Sequence, residues 1–276
     1  MKSRCKKSLE AVVTALLLAS PLAAQLDAPA APTKPLFTWR DGVLAGAFAI
    51  GTIATRPLDK RAATDLQTPS YQKNRLLQKT ATIVRNIALP GSFIIGGSMY
   101  AVGRVSKDQK LAELGVYGTE ALFLGAGIGS VLKDAFGRAR PFVDTTGPNP
   151  NDFQLLRGFH AGDNYRSFPS GHTVAAFAAA AAVSAETSRW YPRGIYVIGP
   201  LMYGGAAAVG VSRMYNNRHW ASDVILGAAI GTFAGTKVVR YQHTHSGNRL
   251  NRWLLNASVS PSDLGHISLS VMPQFP

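Results

Sequence analysis

The chain has 276 residues, and 29 Lys and Arg stand against 15 Asp and Glu, a net charge of +14. Yet 46% of the residues are hydrophobic and only 16% are charged, which excludes a disordered basic tail or a histone-like arm and leaves ample material for a core. A single Cys excludes a disulfide framework and a multi-Cys zinc module, while a mean hydropathy of +0.05 is high for a soluble protein and low for a polytopic membrane protein.

Residues 1–24 have the layout of a secretory signal peptide. Lys2, Arg4, Lys6 and Lys7 form a positive leader, Ala11 to Leu18 a short apolar run, and small residues follow. Cleavage is expected after Ala24, with Ala30 as the fallback. The competing reading is an uncleaved anchor, which the apolar run disfavours by falling short of ~20 residues. Removal takes Cys5 away, and a cysteine-free mature chain suits an oxidising compartment. Residues 25–36 are rich in Ala and Pro and read as a linker.

A helical domain is expected over 37–240. Its six apolar stretches run roughly 41–55, 88–103, 111–132, 172–186, 194–212 and 219–239, each bounded by Pro, Gly or charge. The spacing predicts an all-α six-helix bundle. Residues 56–87 carry seven cations and predict an amphipathic connecting helix around Tyr71 to Ile87. Residues 142–168 read as a polar loop. The tail, 241–276, suggests a short β-hairpin turning at Asp263-Leu264-Gly265. His243 and His245 are expected to be solvated in that tail.

The six stretches are only marginally long enough to span a bilayer, and Glu113 and Glu120 on the third would have to face the bundle interior. Lys and Arg divide almost evenly between the two sets of loops, so they do not settle orientation. A cleaved leader with six spans would also turn the loops after the third and fifth helices toward the cytoplasm. Three readings stay open: a globular bundle, helices that only dip into the membrane, or an N-terminus that is not translocated.

Three segments carry chemistry. They are Lys133 to Pro141 (KDAFGRARP), Phe168 to Thr173 (FPSGHT) and Ser212 to Asp223 (SRMYNNRHWASD). His219 and Asp223 are four apart, so on a helix they share a face, and a carboxylate on one imidazole nitrogen leaves the other free as base or nucleophile. Ser170-Gly171-His172 falls at a predicted helix start, where free N–H groups and the helix dipole favour an anion, and Ser170 is a good N-cap. Lys133, Arg140 and Arg213 add fixed positive charge near helix ends. Singly, each has a plain structural reading: a solvated helix-end cation, a helix-start His, a local His–Asp pair. Together they are the parts of a phosphate site.

The three segments resemble the signature of the type 2 phosphatidic acid phosphatase and vanadium haloperoxidase superfamily, K-x6-R-P, P-S-G-H and S-R-x5-H-x3-D, with all eleven fixed positions filled. The resemblance covers about residues 85–240 and implies a helical phosphatase of the bacterial cell envelope, exported to the periplasm or held at the membrane. It implies that His219 is the nucleophile that becomes phosphohistidine, that Asp223 orients it, and that His172 protonates the leaving oxygen and then helps activate water. Lys133, Arg140, Arg213, Ser170 and the Gly171 amide would hold the phosphoryl oxygens, with no metal or other cofactor. The expected partners are a phosphorylated lipid or small phosphoester and a membrane surface, not nucleic acid. A soluble broad-specificity acid phosphatase, a vanadate-dependent haloperoxidase and a non-catalytic phosphate-binding module remain the competing readings.

Overall fold

A computed structural model describes residues 35–144, 147–245, 248–261 and 267–271. The expected leader and most of the linker lie outside these residues. Thr38 opens the first helix, α1 (Trp39–Asp65), through a capping box in which Asp41 Oδ2 accepts from the Thr38 N–H at 2.6 Å. Two shorter helices follow, α2 (Pro69–Gln72) and α3 (Arg75–Asn86). Asn74 caps α3 by accepting from the Leu76 and Leu77 amides at 3.0 and 3.2 Å. The connecting helix predicted around Tyr71 to Ile87 is thus α3 with the α2 turn before it, amphipathic and largely exposed.

The long helices continue with α4 (Ser92–Ser106), α5 (Gln109–Phe136), α6 (Gly171–Trp190), α7 (Ile195–Tyr215) and α8 (Ala221–Thr244). With α1 these account for all six predicted stretches. The all-α reading holds for the bundle, and α8 runs past residue 240. A short helix, α9 (Arg249–Asn256), was not expected. The hairpin was: β1 (Ala257–Pro261) pairs antiparallel with β2 (Ile267–Val271), Val259 opposite Leu269, while its turn lies outside the described residues.

Helix α6 is central. Its alanines let α8 approach closely, and it packs most extensively there and also meets α5 and α7. Val116, Tyr117, Leu122, Ala178, Ala182 and Ala234 lie in the buried core. A Cβ on Gly227 of α8 would stand 2.8 Å from the Ser170 carbonyl oxygen, so the start of α6 can rest on α8 only over a glycine. The far end of the bundle is polar: His243 Nε2 lies 2.7 Å from Oε1 of fully buried Glu186, and Gln242 bonds Glu120. His243 is therefore not a solvated tail residue. Helix α8 extends far enough to carry it to the α6 carboxylate, and its ring lies edge-on to Tyr117.

Among the described residues three helices, α5, α7 and α8, are long and apolar enough to cross a membrane. Many of the outward side chains are apolar too, among them Ile50 and Ile53 on α1, Phe123 on α5 and Val197 and Leu201 on α7.

Candidate active site

The three sequence segments meet at one end of the bundle. Helix α5 ends at Gly137, whose left-handed backbone (φ 51°) lets its N–H close on the Lys133 carbonyl and turns the chain into the Arg138–Pro141 segment. Lys133, Arg140, His172, Arg213 and His219 line one cavity of about 410 Å³, together with Arg166, Arg218 and Asp163. The lining also includes apolar side chains, among them Leu89, Phe93, Leu122 and Val174.

His219 is buried, and it does not sit on a helix with Asp223 as the spacing predicted. Helix α8 begins only at Ala221, and Trp220 is its extended N-cap. Asp223 Oδ2 accepts from the Trp220 N–H at 2.9 Å, so this carboxylate caps α8 and presses the preceding residue against the site. His219 Nδ1 lies 2.8 Å from the Ser167 carbonyl oxygen and 3.4 Å from Asp223 Oδ2. A carbonyl only accepts, so Nδ1 carries the proton and Nε2 keeps its lone pair. Arg140 Nη1 donates to Nε2 at 3.1 Å.

The cations are held mostly by backbone. Lys133 Nζ donates to the Arg166 carbonyl at 3.0 Å and to that of Pro169. Arg140 donates to the carbonyls of Asp163 and Arg218 at 2.8 and 3.0 Å, and Nη2 to the Asp163 carboxylate at 2.8 Å. Arg213 differs: its Nε and Nη1 are buried without a hydrogen-bond partner. Burial, then nearby Lys133 and Arg140, push the His219 imidazole well below the ordinary histidine range, against the pull of Asp223. Burial, with Arg213, Arg85, Lys133 and Arg140 around it, pushes His172 down to about 3.

Gly171 lines the cavity, but Ser170 does not. Its N–H donates to the Asp223 carbonyl at 3.0 Å, and its hydroxyl accepts from Thr173 at 2.8 Å. It makes no side-chain cap to α6, contrary to its N-cap reading, because Thr173 holds the hydroxyl in the α6–α8 joint.

Sequence reasoning passed over the layer behind His219. Arg138 Nη1 bonds Asp223 Oδ1 at 2.5 Å and Nη2 bonds Asp59 Oδ2 at 2.7 Å, and all three residues are fully buried. Ser167 donates to Asp223 Oδ2 at 2.5 Å. A second Arg within an otherwise short motif was the available signal for Arg138. Asp59 lies in a run of cations and gave none.

Residues 115–246 match the family model described as the PAP2 superfamily. Over that segment the chain is similar to the PAP2 superfamily. That PAP2 segment reaches from Gly115 on α5 through α8 and leaves Asp59 outside. Over 141 residues the chain is 34% identical to a lipid A 1-phosphatase of Porphyromonas gingivalis, covering 50% of this chain and 26% of that protein, so it spans about a quarter of that relative's length. Among solved structures it is similar to Aquifex aeolicus LpxE, at 22% identity and a TM-score of 0.40 over 61% of this chain and 88% of that one. It is also similar to a transmembrane PAP2-type phosphatidylglycerolphosphate phosphatase of Bacillus subtilis, at 17% identity and a TM-score of 0.36, covering 77% and 99%.

Proposed function

We propose that this protein is a membrane-associated, metal-independent phosphatase that removes a phosphoryl group from a lipid through a phosphohistidine intermediate. The observation that carries the reading is the cavity wall. Arg213 brings two buried, unpaired donors to it, beside Lys133, Arg140 and the Nε2 lone pair of His219. A phosphoryl group supplies the oxygens those donors lack.

In the first step Nε2 attacks phosphorus in line. The N–P bond forms as the P–O bond breaks, and His172, which takes up a proton when the phosphate dianion binds, gives it to the leaving oxygen. Lys133, Arg140 and Arg213 hold the other phosphoryl oxygens, and Arg140 turns its Nη1 from Nε2 onto the arriving group. Asp223 balances the charge that develops on the ring. In the second step His172 takes a proton from water, whose oxygen attacks phosphorus and frees His219.

The lipid part rests on the apolar side chains lining the same cavity and on an adjoining apolar groove of about 330 Å³ that shares Leu122 and includes Ile87, Ile95 and Leu201. The apolar helices and their outward side chains support membrane association, and the expected leader supports an envelope location. The lipid A 1-phosphatase relative supports a phosphorylated glycolipid as one substrate to test.

The test is phosphate release with EDTA present, from phosphatidate, an isoprenyl pyrophosphate, a bisphosphorylated glycolipid and a soluble aryl phosphate in detergent. We expect turnover that His219→Ala abolishes, with kcat/KM higher for a lipid. Equal kcat/KM for the soluble ester would identify a broad-specificity phosphatase instead, and full activity in His219→Ala would refute the nucleophile.

A further inference from the structure

The buried charges behind His219 do not touch the cavity. Arg138 is enclosed on every side: by Asp59 of α1, by Asp223 and Ser222 of α8, by the Pro150 carbonyl, and by the rings of Phe153, Phe168 and Trp220. Asp59 is equally committed. Its Oδ1 accepts the Ser222 N–H at 2.8 Å, and its Oδ2 accepts the Ser222 hydroxyl and Arg138 at 2.7 Å each. Burying three charges adds little stability over an apolar filling, so a role in position and charge is the better account of the arrangement.

We propose that Asp59 is a positioning residue for His219, acting through Arg138 and Asp223. This rests on the phosphohistidine reading. When Nε2 bonds phosphorus while Nδ1 keeps its proton, the ring becomes positive and needs the Asp223 charge 3.4 Å away. Were Asp223 the only partner of Arg138, the two would neutralise each other. Asp59 takes a share of the guanidinium, so the trio keeps a net negative charge and that charge faces the imidazole. The same carboxylate fixes the Ser222 amide in the first turn of α8, which sets where Asp223 stands.

The experiment uses full-length protein in detergent, an aryl phosphate monoester for turnover and inorganic phosphate as inhibitor. In Asp59→Asn, kcat should fall by about tenfold to a hundredfold, the range seen when a supporting carboxylate behind a functional imidazole is lost. Inhibition by inorganic phosphate should stay within about twofold, because the cavity cations that hold it are untouched. The acid limb of kcat/KM should move to lower pH, since losing a negative charge behind Asp223 further disfavours protonated His219. The other groups around His219 stay in place: Lys133 and Arg140 from α5 and the segment after it, Asp163 and Arg166 from the loop, His172 from α6, and Arg213 and Arg218 from α7 and the turn after it. Asp59→Glu keeps the charge but displaces it, and should lower kcat with the acid limb held. It also carries the test should Asp59→Asn not fold. An unchanged kcat in either variant, an unmoved acid limb in Asp59→Asn, or parallel loss of kcat and phosphate inhibition overturns the proposal. If wild-type protein turns over no phosphoester, the functional reading fails instead.

Discussion

Asp223→Asn separates two roles that an orienting carboxylate usually combines. In a hydrolase triad, amidation of the carboxylate releases the wrong imidazole tautomer and costs about 10⁴ in kcat. Here the Nδ1 proton has a closer acceptor in the Ser167 carbonyl, at 2.8 Å against 3.4 Å for the carboxylate. The tautomer should therefore survive, and only charge is lost. Unit charges 3.4 Å apart interact by about 5 kcal/mol at an effective dielectric of about 20. Arg138, 2.5 Å from the other carboxylate oxygen, offsets part of that and leaves ~3 to 4 kcal/mol, or about 10² to 10³ in kcat. Because Arg138 keeps Asp59, its buried charge is not stranded, and the stability cost should stay near 2 to 3 kcal/mol, below the ~3 to 5 of a fully broken buried pair. The assay is steady-state phosphate release, with the phosphoenzyme trapped by acid-free quenching and melting midpoints measured in parallel. A loss of about 10⁴, equal to that of His219→Ala, would show that the carboxylate and not the carbonyl sets the tautomer. A loss below about tenfold would show that its charge does not reach the ring.

Both histidines titrate below the ordinary value of 6.5 in the folded chain and near it when unfolded. At mildly acid pH the unfolded chain thus binds more protons. Stability from these groups is complete above about pH 6.5 and is lost as pH falls toward the folded values, a slope in the melting midpoint that His219→Gln should flatten. A bound phosphate brings negative charge to the cations that hold His172 down, so binding near pH 6 should take up a proton. Calorimetry in buffers of different ionisation heat measures this, and no uptake would remove His172 as the acid. Asp163 covers Arg140 Nη2 at 2.8 Å but is 70% exposed, so Asp163→Asn should tighten phosphate inhibition by up to about fivefold. An unchanged inhibition constant would mean that this pair opens freely.

The residues of the proposed phosphoryl site were legible because their chemistry is local. Lys133, Arg140, Gly171, His172, Arg213 and His219 all reach the one cavity. The six helices were legible because long apolar runs need no distant partner to be recognised. What the sequence concealed is tertiary. His219 lies outside α8 because Asp223 spends one oxygen on the Trp220 amide, which no i, i+4 rule anticipates. Ser170 turns into the α6–α8 joint because Thr173 and Asp223 meet it there. Asp59 stands 164 positions before Asp223 among exposed cations, and only the packing of α1 on α8 makes it a buried counter-ion.

The excess positive charge divides by the kind of partner that holds it. Arg138 is gripped by two carboxylates and has no charge left to offer an anion. Lys133 is gripped by carbonyl oxygens, which satisfy its donors and leave its charge intact. Arg140 is held mainly the same way, with one exposed carboxylate that an anion can displace. Arg213 has not even carbonyls on two of its nitrogens. A cation whose hydrogen bonds end on neutral oxygens keeps its field, and in a half-apolar cavity that field is weakly screened. Lys133, Arg140 and Arg213 therefore direct attraction for anions into the cavity. The same partition gives His219 its two faces: a negative one behind Nδ1, which in the proposed mechanism stabilises a phosphorylated ring, and a positive one before Nε2, which would draw a phosphoryl group to it.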